Sequence, residues 1–390
     1  MDRPRRSSAA VQLVAGVDAA DDMFGSLAGC PPRPLEYPVV PDLDDYDVDD
    51  APVAGRPAPA SDKTLAVHAG EKLGSGAAAA ETDSIATPIV GGTTHWFRDS
   101  ADLIAFREGR RRNFEYGRYG NPTVKVLEEK ISALERAEAT LVTSSGMNAI
   151  VATLLALVPP GGHVVATADC YSEARAFIRD KLSNMGITST FVDLDDDMEA
   201  LEAWNPFLMR ASTLASPINQ KPLALGADVV LHSATKYIAG HHDVIAGCVS
   251  GSEALVSRIR AWHHDLGGAI SPNAAYMIIR GLKTLALRVQ AQNRTALRMA
   301  RLLEKHPKIE RVYYPGLESS PWHGVATRQM AGAGGVVGLE VASDMRAAMR
   351  GKCDEEKAKN GIKDNFVRFS FGIEKFEDLR DDILQALGKI

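Results

Sequence analysis

The sequence predicts an α/β protein: a mostly parallel sheet covered by helices in a large domain, followed by a smaller C-terminal α+β domain. Two observations carry this. A strand, tight turn and helix follow one another over residues 139–158, which is half of a βαβ unit, and further short apolar or β-branched runs recur at 164–168, 188–192, 228–231 and 244–249. At the far end, residues 365–371 read as a strand, and Phe376, Leu379, Ile383 and Leu387 then recur at helical spacing.

In chain order, residues 1–62 hold nine of the twenty prolines, an acidic run from Asp42 to Asp50 and a Pro/Ala/Gly-rich stretch over 51–60. Such a segment buries too little apolar surface to offset its ordering entropy, so it is expected to lack fixed structure. Residues 1–10 are basic and hydroxylated like a transit peptide, whereas the acidic block is unlike one. Ordered sequence is expected from about Lys63. Asn121 and Pro122 read as an N-cap and a first-turn proline, and Val124, Leu127, Ile131 and Leu134 mark the apolar face of the helix that follows. Residues 139–143 then form a buried strand, Ser144-Ser145-Gly146 the turn, and 147–158 a helix stopped by Pro159-Pro160-Gly161-Gly162. Between Asp195 and Ala227 there is one helical pattern and no clear strand.

Composition narrows the function classes. The chain has 390 residues, 45% apolar and 24% charged, with a net charge of -6, enough for a large core and without a basic face for nucleic acid. No segment is apolar for long enough to span a bilayer. Cys30, Cys170, Cys248 and Cys353 are widely spaced without a CxxC pair, which argues against a zinc site or disulfide framework and for a reducing compartment. Small molecules and further copies of the chain remain as partners. The expected location is cytoplasmic, with the plastid stroma as the alternative.

The most informative segment is Asp228-Val-Val-Leu-His-Ser-Ala-Thr-Lys236, where an apolar strand ends in hydroxyls and a lysine. Ligands of open parallel sheets bind outside the carboxyl ends of strands. A lysine desolvated there becomes an amine nucleophile that forms a Schiff base with an aldehyde, while Ser233 and Thr235 donate to a neighbouring phosphate. The bland alternative is an exposed loop lysine. A second element, Ser144-Ser145-Gly146-Met147, leads from a strand into a helix N-terminus, whose free amides favour an anion.

These segments, with Tyr116-Gly-Arg-Tyr-Gly-Asn-Pro-Thr123, Tyr171, Leu65-Ala-Val-His-Ala-Gly70, His264-Asp-Leu-Gly-Gly-Ala269 and Gly281-Leu-Lys-Thr284, occur in the order and rough spacing of a known family. From about Leu65 to Ile390 the chain resembles the transsulfuration family of Cys/Met metabolism, pyridoxal-phosphate enzymes of fold-type I. Its flanking wording is similar to the plant cystathionine gamma-synthases. The resemblance implies pyridoxal 5'-phosphate as cofactor, Lys236 as the lysine that bears it and shuttles protons, and Tyr171 as the ring stacked on the pyridine. It implies that Ser145, Gly146, Met147, Ser233 and Thr235 hold the phosphate, that Tyr116 and Arg118 reach it from a neighbouring subunit, and that Asn205 lies by the ring hydroxyl. Arg368 would clamp the substrate carboxylate, with Tyr116 also near the substrate.

The domains so implied are an unstructured extension (1–62), an arm that completes the dimer partner's site (63–125), a cofactor-binding large domain shortened near 204–212 (126–290), and a small domain shortened near 350–354 (291–390). A dimer-based homo-oligomer, commonly a tetramer, follows. The implied reaction replaces the γ-substituent of an activated homoserine ester, with O-phosphohomoserine favoured, by cysteine to give cystathionine for methionine biosynthesis. A γ-lyase acting on cystathionine or methionine is the alternative within the family. Two departures stand out. Ala211 occupies the place of the family's aspartate that keeps the pyridine nitrogen protonated, and the loop expected after Cys353 is absent. They favour a further reading, a catalytically silent, cofactor-binding paralogue or splice product.

Overall fold

Residues 139–143 and 229–232 are buried along their whole length, and their side chains feed cores on both faces of one sheet, as expected of strands covered by helices on each side. The computed structural model describes residues 10–15, 60–71, 84–167, 170–192, 207–212, 215–342 and 365–389, with 10–15 and 207–212 described as backbone.

The main sheet contains β1 (Ala10–Ala15), β2 (Ala139–Thr143), β3 (His163–Thr167), β4 (Thr188–Val192), β5 (Phe207–Ser212), β6 (Val229–His232) and β7 (Gly247–Gly251), in the order β2-β7-β6-β5-β1-β3-β4. All neighbours run parallel except β7, which is antiparallel to both β2 and β6. One face is covered by α4 (Gly146–Leu157), α5 (Ser172–Ala176) and α6 (Glu253–Leu266). The other is covered by α1 (Asp62–His68), α3 (Pro122–Glu135) and α7 (Pro272–Leu282), while α2 (Ser100–Arg107) lies in the arm. Each fully buried Leu or Ile in these layers contributes about 1.5–3 kcal/mol.

Two expectations are corrected here. The segment between Asp195 and Ala227 does supply a strand, β5, and part of the extension expected to be unstructured, residues 10–15, forms β1. The physical reason is the same for both. A gap between β3 and β6 would leave two rows of unpaired backbone groups inside a covered sheet, and the β-prone run Ala-Val-Gln-Leu-Val-Ala closes it by pairing with β3 on one side and β5 on the other. The proline content of 1–62 masked this short run.

The small domain pairs β8 (Ile309–Tyr313), β9 (Val336–Val341) and β10 (Phe366–Ser370) in the order β10-β9-β8, all antiparallel, against α10 (Phe376–Gly388); the short α9 (His323–Gln329) lies between β8 and β9 in the chain. The long α8 (Leu285–Leu303) joins the two domains, since Leu285 and Val289 pack in the large core and Met299 and Leu303 in the small one. The arm is fastened by a buried ion cluster. Glu71 accepts from Thr87 Oγ1 at 2.8 Å, Lys283 Nζ at 3.1 Å and Lys130 Nζ at 3.3 Å. Burial alone would raise the Glu71 pKa, but the Thr87 hydroxyl and the two ammonium groups outweigh it and hold the carboxylate below its ordinary value, while burial lowers that of Lys130.

An inner strand uses its amides on both sides, so Leu13→Pro, which removes a ladder donor and leaves its acceptor unpaired, is expected to cost about 1–3 kcal/mol. A denaturant midpoint equal to that of the wild type would refute the placement of β1.

Candidate active site

Because β2 and β6 both oppose β7, they run parallel to each other and their carboxyl ends open at the same edge of the sheet. There the turn Ser144–Ser145 enters α4. Ser145 is the N-cap, with extended backbone, and its Oγ accepts from the Asn148 amide at 3.0 Å. The turn lies on the start of β7, where a Cβ on Gly247 would come within 2.3 Å of the Ser145 carbonyl oxygen. A Cβ on Gly146 would come within 3.1 Å of Ser233 Cβ and 3.3 Å of its Oγ. The absence of side chains at 146 and 247 therefore brings the helix N-terminus against Ser233.

Helix amides, a dipole end and a hydroxyl meeting where a Cβ would crowd make a cradle suited to a phosphate. Of the two hydroxyls expected to serve it, Ser233 faces the turn. That of Thr235 is engaged with the backbone of Ala246, accepting its N–H at 3.0 Å and lying 3.2 Å from its carbonyl oxygen. This engagement also moves the strand start: β7 begins at Gly247, not at residue 244 as the apolar run suggested.

Lys236 stands in the turn that follows, held by its backbone N–H to the Ser233 carbonyl at 3.1 Å and by its own carbonyl to the Gly240 N–H at 2.8 Å. Its side chain is exposed in the single chain. The turn is shaped around Arg288, which is buried and donates to the Tyr237 carbonyl at 3.0 Å and the Gly281 carbonyl at 2.8 Å; a Cβ on Gly240 would lie 2.1 Å from its Nη1. Burial lowers the Arg288 pKa.

Tyr171 precedes α5 and is half-buried against the core cluster that Met147 also covers. Tyr116 and Arg118 lie in the arm, where Thr94 bridges Tyr116; Arg118 donates to the His264 carbonyl at the end of α6, with its guanidinium 4.8 Å from the Tyr119 ring centroid. Gly268, just beyond that helix, accepts from the Ser144 amide at 2.8 Å, so this end of α6 also borders the phosphate turn. Arg368 is on β10 opposite Gly338. Asn205 lies outside the described residues; Ala211 is in β5, paired with Leu231.

Residues that the sequence left unnoticed support the turn. His263 Nδ1 is 3.1 Å from Asn148 Oδ1, and a Cβ on Gly268 would meet that same oxygen at 2.2 Å. Burial, then the charges of His264 and Arg260, push the His263 pKa down to about 4. His232, just before Ser233, is paired with the buried Glu135 at 2.7 Å. Only Gly247 and the second glycine of the Gly267–Gly268 pair hinted at such close packing. Among the described residues there is no group of His, Cys, Asp and Glu that could hold a metal ion, and no helix is long and apolar enough to cross a membrane.

The fold is an α/β scaffold in which a glycine turn at a helix N-terminus lies against the segment that carries Lys236. The family model described as "Cys/Met metabolism PLP-dependent enzyme" matches residues 63–206 and 207–354. The chain is 50% identical to cystathionine gamma-synthase 1, chloroplastic, of Nicotiana tabacum, over 85% of its length and 72% of the relative's, and 47% identical to a probable cystathionine gamma-synthase 2 of Arabidopsis thaliana, over 80% and 90%. The crystal structure of a cystathionine gamma synthase from Xanthomonas oryzae pv. oryzae superposes with a TM-score of 0.75 at 28% identity, covering 85% of this chain and 98% of that one. The chain belongs to the pyridoxal-phosphate-dependent enzymes of Cys/Met metabolism, and pyridoxal 5'-phosphate is its cofactor. The tobacco alignment runs over 394 positions yet takes in only 85% of these 390 residues, so several dozen aligned positions of the relative have no counterpart here.

Gly146→Ala should weaken cofactor binding about tenfold, roughly 1.4 kcal/mol, with the fold retained, as read from an absorbance titration with pyridoxal phosphate. For His263 the sign is set by a native pKa of about 4, below the usual 6.5 of an unfolded histidine: the unfolded chain binds the extra proton, so stability present above pH 6.5 is lost as pH falls toward 4. The loss is on the order of 2–3 kcal/mol, and His263→Asn should flatten this part of the stability-pH profile.

Proposed function

We propose that the chain is a cystathionine gamma-synthase that joins cysteine to the γ-carbon of an activated homoserine ester, with O-phosphohomoserine as the favoured ester. The observation that carries the reading is the approach of Gly146 to Ser233, three residues before Lys236, which assembles phosphate cradle and amine from two distant segments. The 50% identity to plant enzymes of that name supports the choice within the family.

In this reading the amides of Gly146 and Met147, the Ser145 cap and the Ser233 hydroxyl hold the cofactor phosphate, with Thr235 able to join them once its hydroxyl leaves Ala246. Tyr171 covers the ring and Asn205 borders it. When bound, pyridoxal phosphate supplies the electron sink for carbanions next to the substrate nitrogen. Arg368 grips the substrate carboxylate, its planar fork matching two oxygens. Lys236, freed as an amine, takes the proton from Cα and moves protons along the substrate. The γ C–O bond would break with departure of the ester group as its anion, and a C–S bond to the cysteine sulfur would form in its place, the thiol proton passing to a basic group of the site or to solvent. Tyr116 and Arg118 serve the neighbouring copy's site in a dimer-based tetramer. The exposure of Ile85 and Trp96 on the arm favours a covering partner, as does the exposure of Lys236 itself. Relatives named chloroplastic favour the plastid stroma over the cytoplasm.

A second reading is a silent subunit that binds cofactor without turning over. It is favoured by Ala211 in the aspartate's place and by the aligned positions missing from this chain. A γ-lyase remains the alternative chemistry, since a methionine gamma-lyase of Fusobacterium nucleatum is 37% identical.

Incubation with cysteine and O-phosphohomoserine should yield cystathionine, and Lys236→Ala should abolish both the product and borohydride-fixed cofactor label. Release of 2-oxobutyrate alone would indicate a lyase; label on Lys236 without either product, the silent subunit; no label, failure of the site assignment.

A further inference from the structure

The residue after Lys236 is held at both ends. Its carbonyl accepts from Arg288 at 3.0 Å, and its ring, packed on the large-domain core, reaches the small domain, where the Tyr237 hydroxyl accepts the Gly335 N–H at 2.9 Å. The other half of that same peptide, the Gly334 carbonyl, accepts from the buried Tyr314 hydroxyl at 2.9 Å. One peptide unit is thus gripped by two tyrosines, one from each domain.

The neighbouring groups are equally committed. The Gly334 N–H donates to Asn293 Oδ1 at 3.0 Å, and Asn293 exchanges hydrogen bonds of 2.9 Å with Asn219. The Gly335 carbonyl accepts from Phe371 at 2.7 Å, just past β10. Gly334 has φ +83°, and a Cβ on Gly335 would come within 3.2 Å of the Tyr237 hydroxyl, so the joint admits little besides glycine. Directly after it β9 begins, and its Gly338 lies opposite Arg368.

We infer that Tyr237 is a positioning residue which, through the Gly334–Gly335 peptide, sets the place of the Arg368 strand relative to the Lys236 turn. The inference rests on the roles given above to Lys236 and Arg368. An amino acid bound with its carboxylate on Arg368 and its α-carbon at Lys236 spans the two domains, so the separation of these side chains decides whether both contacts form together. The hydroxyl of Tyr237 is the large-domain end of that spacing.

The test is a double-mutant cycle in the cofactor-loaded protein, with O-phosphohomoserine binding read from the change in cofactor absorbance. Tyr237→Phe, which keeps the packed ring, should leave cofactor affinity and borohydride labelling of Lys236 unchanged, weaken O-phosphohomoserine about three- to tenfold, and speed amide exchange at Gly335. In an Arg368→Ala background the same change should have no further effect on binding, because the two act through one contact. Additive losses, or a Tyr237→Phe protein that binds O-phosphohomoserine as well as the wild type, would overturn the inference. If Arg368→Ala alone leaves binding unchanged, the carboxylate-binding role itself fails, an outcome distinct from failure of the joint.

Discussion

The site depends on one close approach, that of the α4 N-terminus to the end of β6 across the start of β7. It exists because β7 opposes two strands at once and because residues 146 and 247 carry no side chain. A methyl group at 247 would drive the Ser145 carbonyl away, and with it the helix N-terminus that lies against Ser233. Backbone amides aimed at a fixed point bind an anion without reorganisation, so cradle geometry and cofactor affinity are one property.

Around this contact the protein places polar pairs where an apolar core would serve for stability alone. Glu71 with Lys130 and Lys283, Arg260 with Glu128, and His232 with Glu135 all tie segments distant in sequence. Desolvation offsets much of the attraction in such pairs, so their contribution lies in fixing one arrangement, here the arm on α3 and the strand end before Ser233. Arg288 acts in the same way with carbonyls as its partners, moulding the lysine turn.

The middle of the sheet is filled by β5 and the N-terminal β1. Several dozen aligned positions of the tobacco relative have no counterpart in this chain, and the N-terminal β1 takes an inner place between β3 and β5. Restored pairing and restored chemistry are separate matters. A strand of any suitable sequence satisfies the backbone, whereas the chemistry of a site depends on particular side chains.

Local rules carried much of the fold. The Asn121 cap, the first-turn Pro122, the strand at 139–143, the helix after the Ser144–Gly146 turn (read from 147, observed from Gly146) and the final helix from Phe376 were legible because caps, turns and periodicity act within a few residues. The lysine segment and the glycine turn were legible as chemistry, since their residue types are needed whatever surrounds them. Tertiary structure alone decided that residues 10–15 enter the sheet, that Thr235 turns to Ala246, that Lys236 stays exposed in the single chain, and that two tyrosines from different domains hold one peptide. Each of these depends on which distant backbone groups lack partners and which side chains leave room, quantities that come into being only when the layers pack.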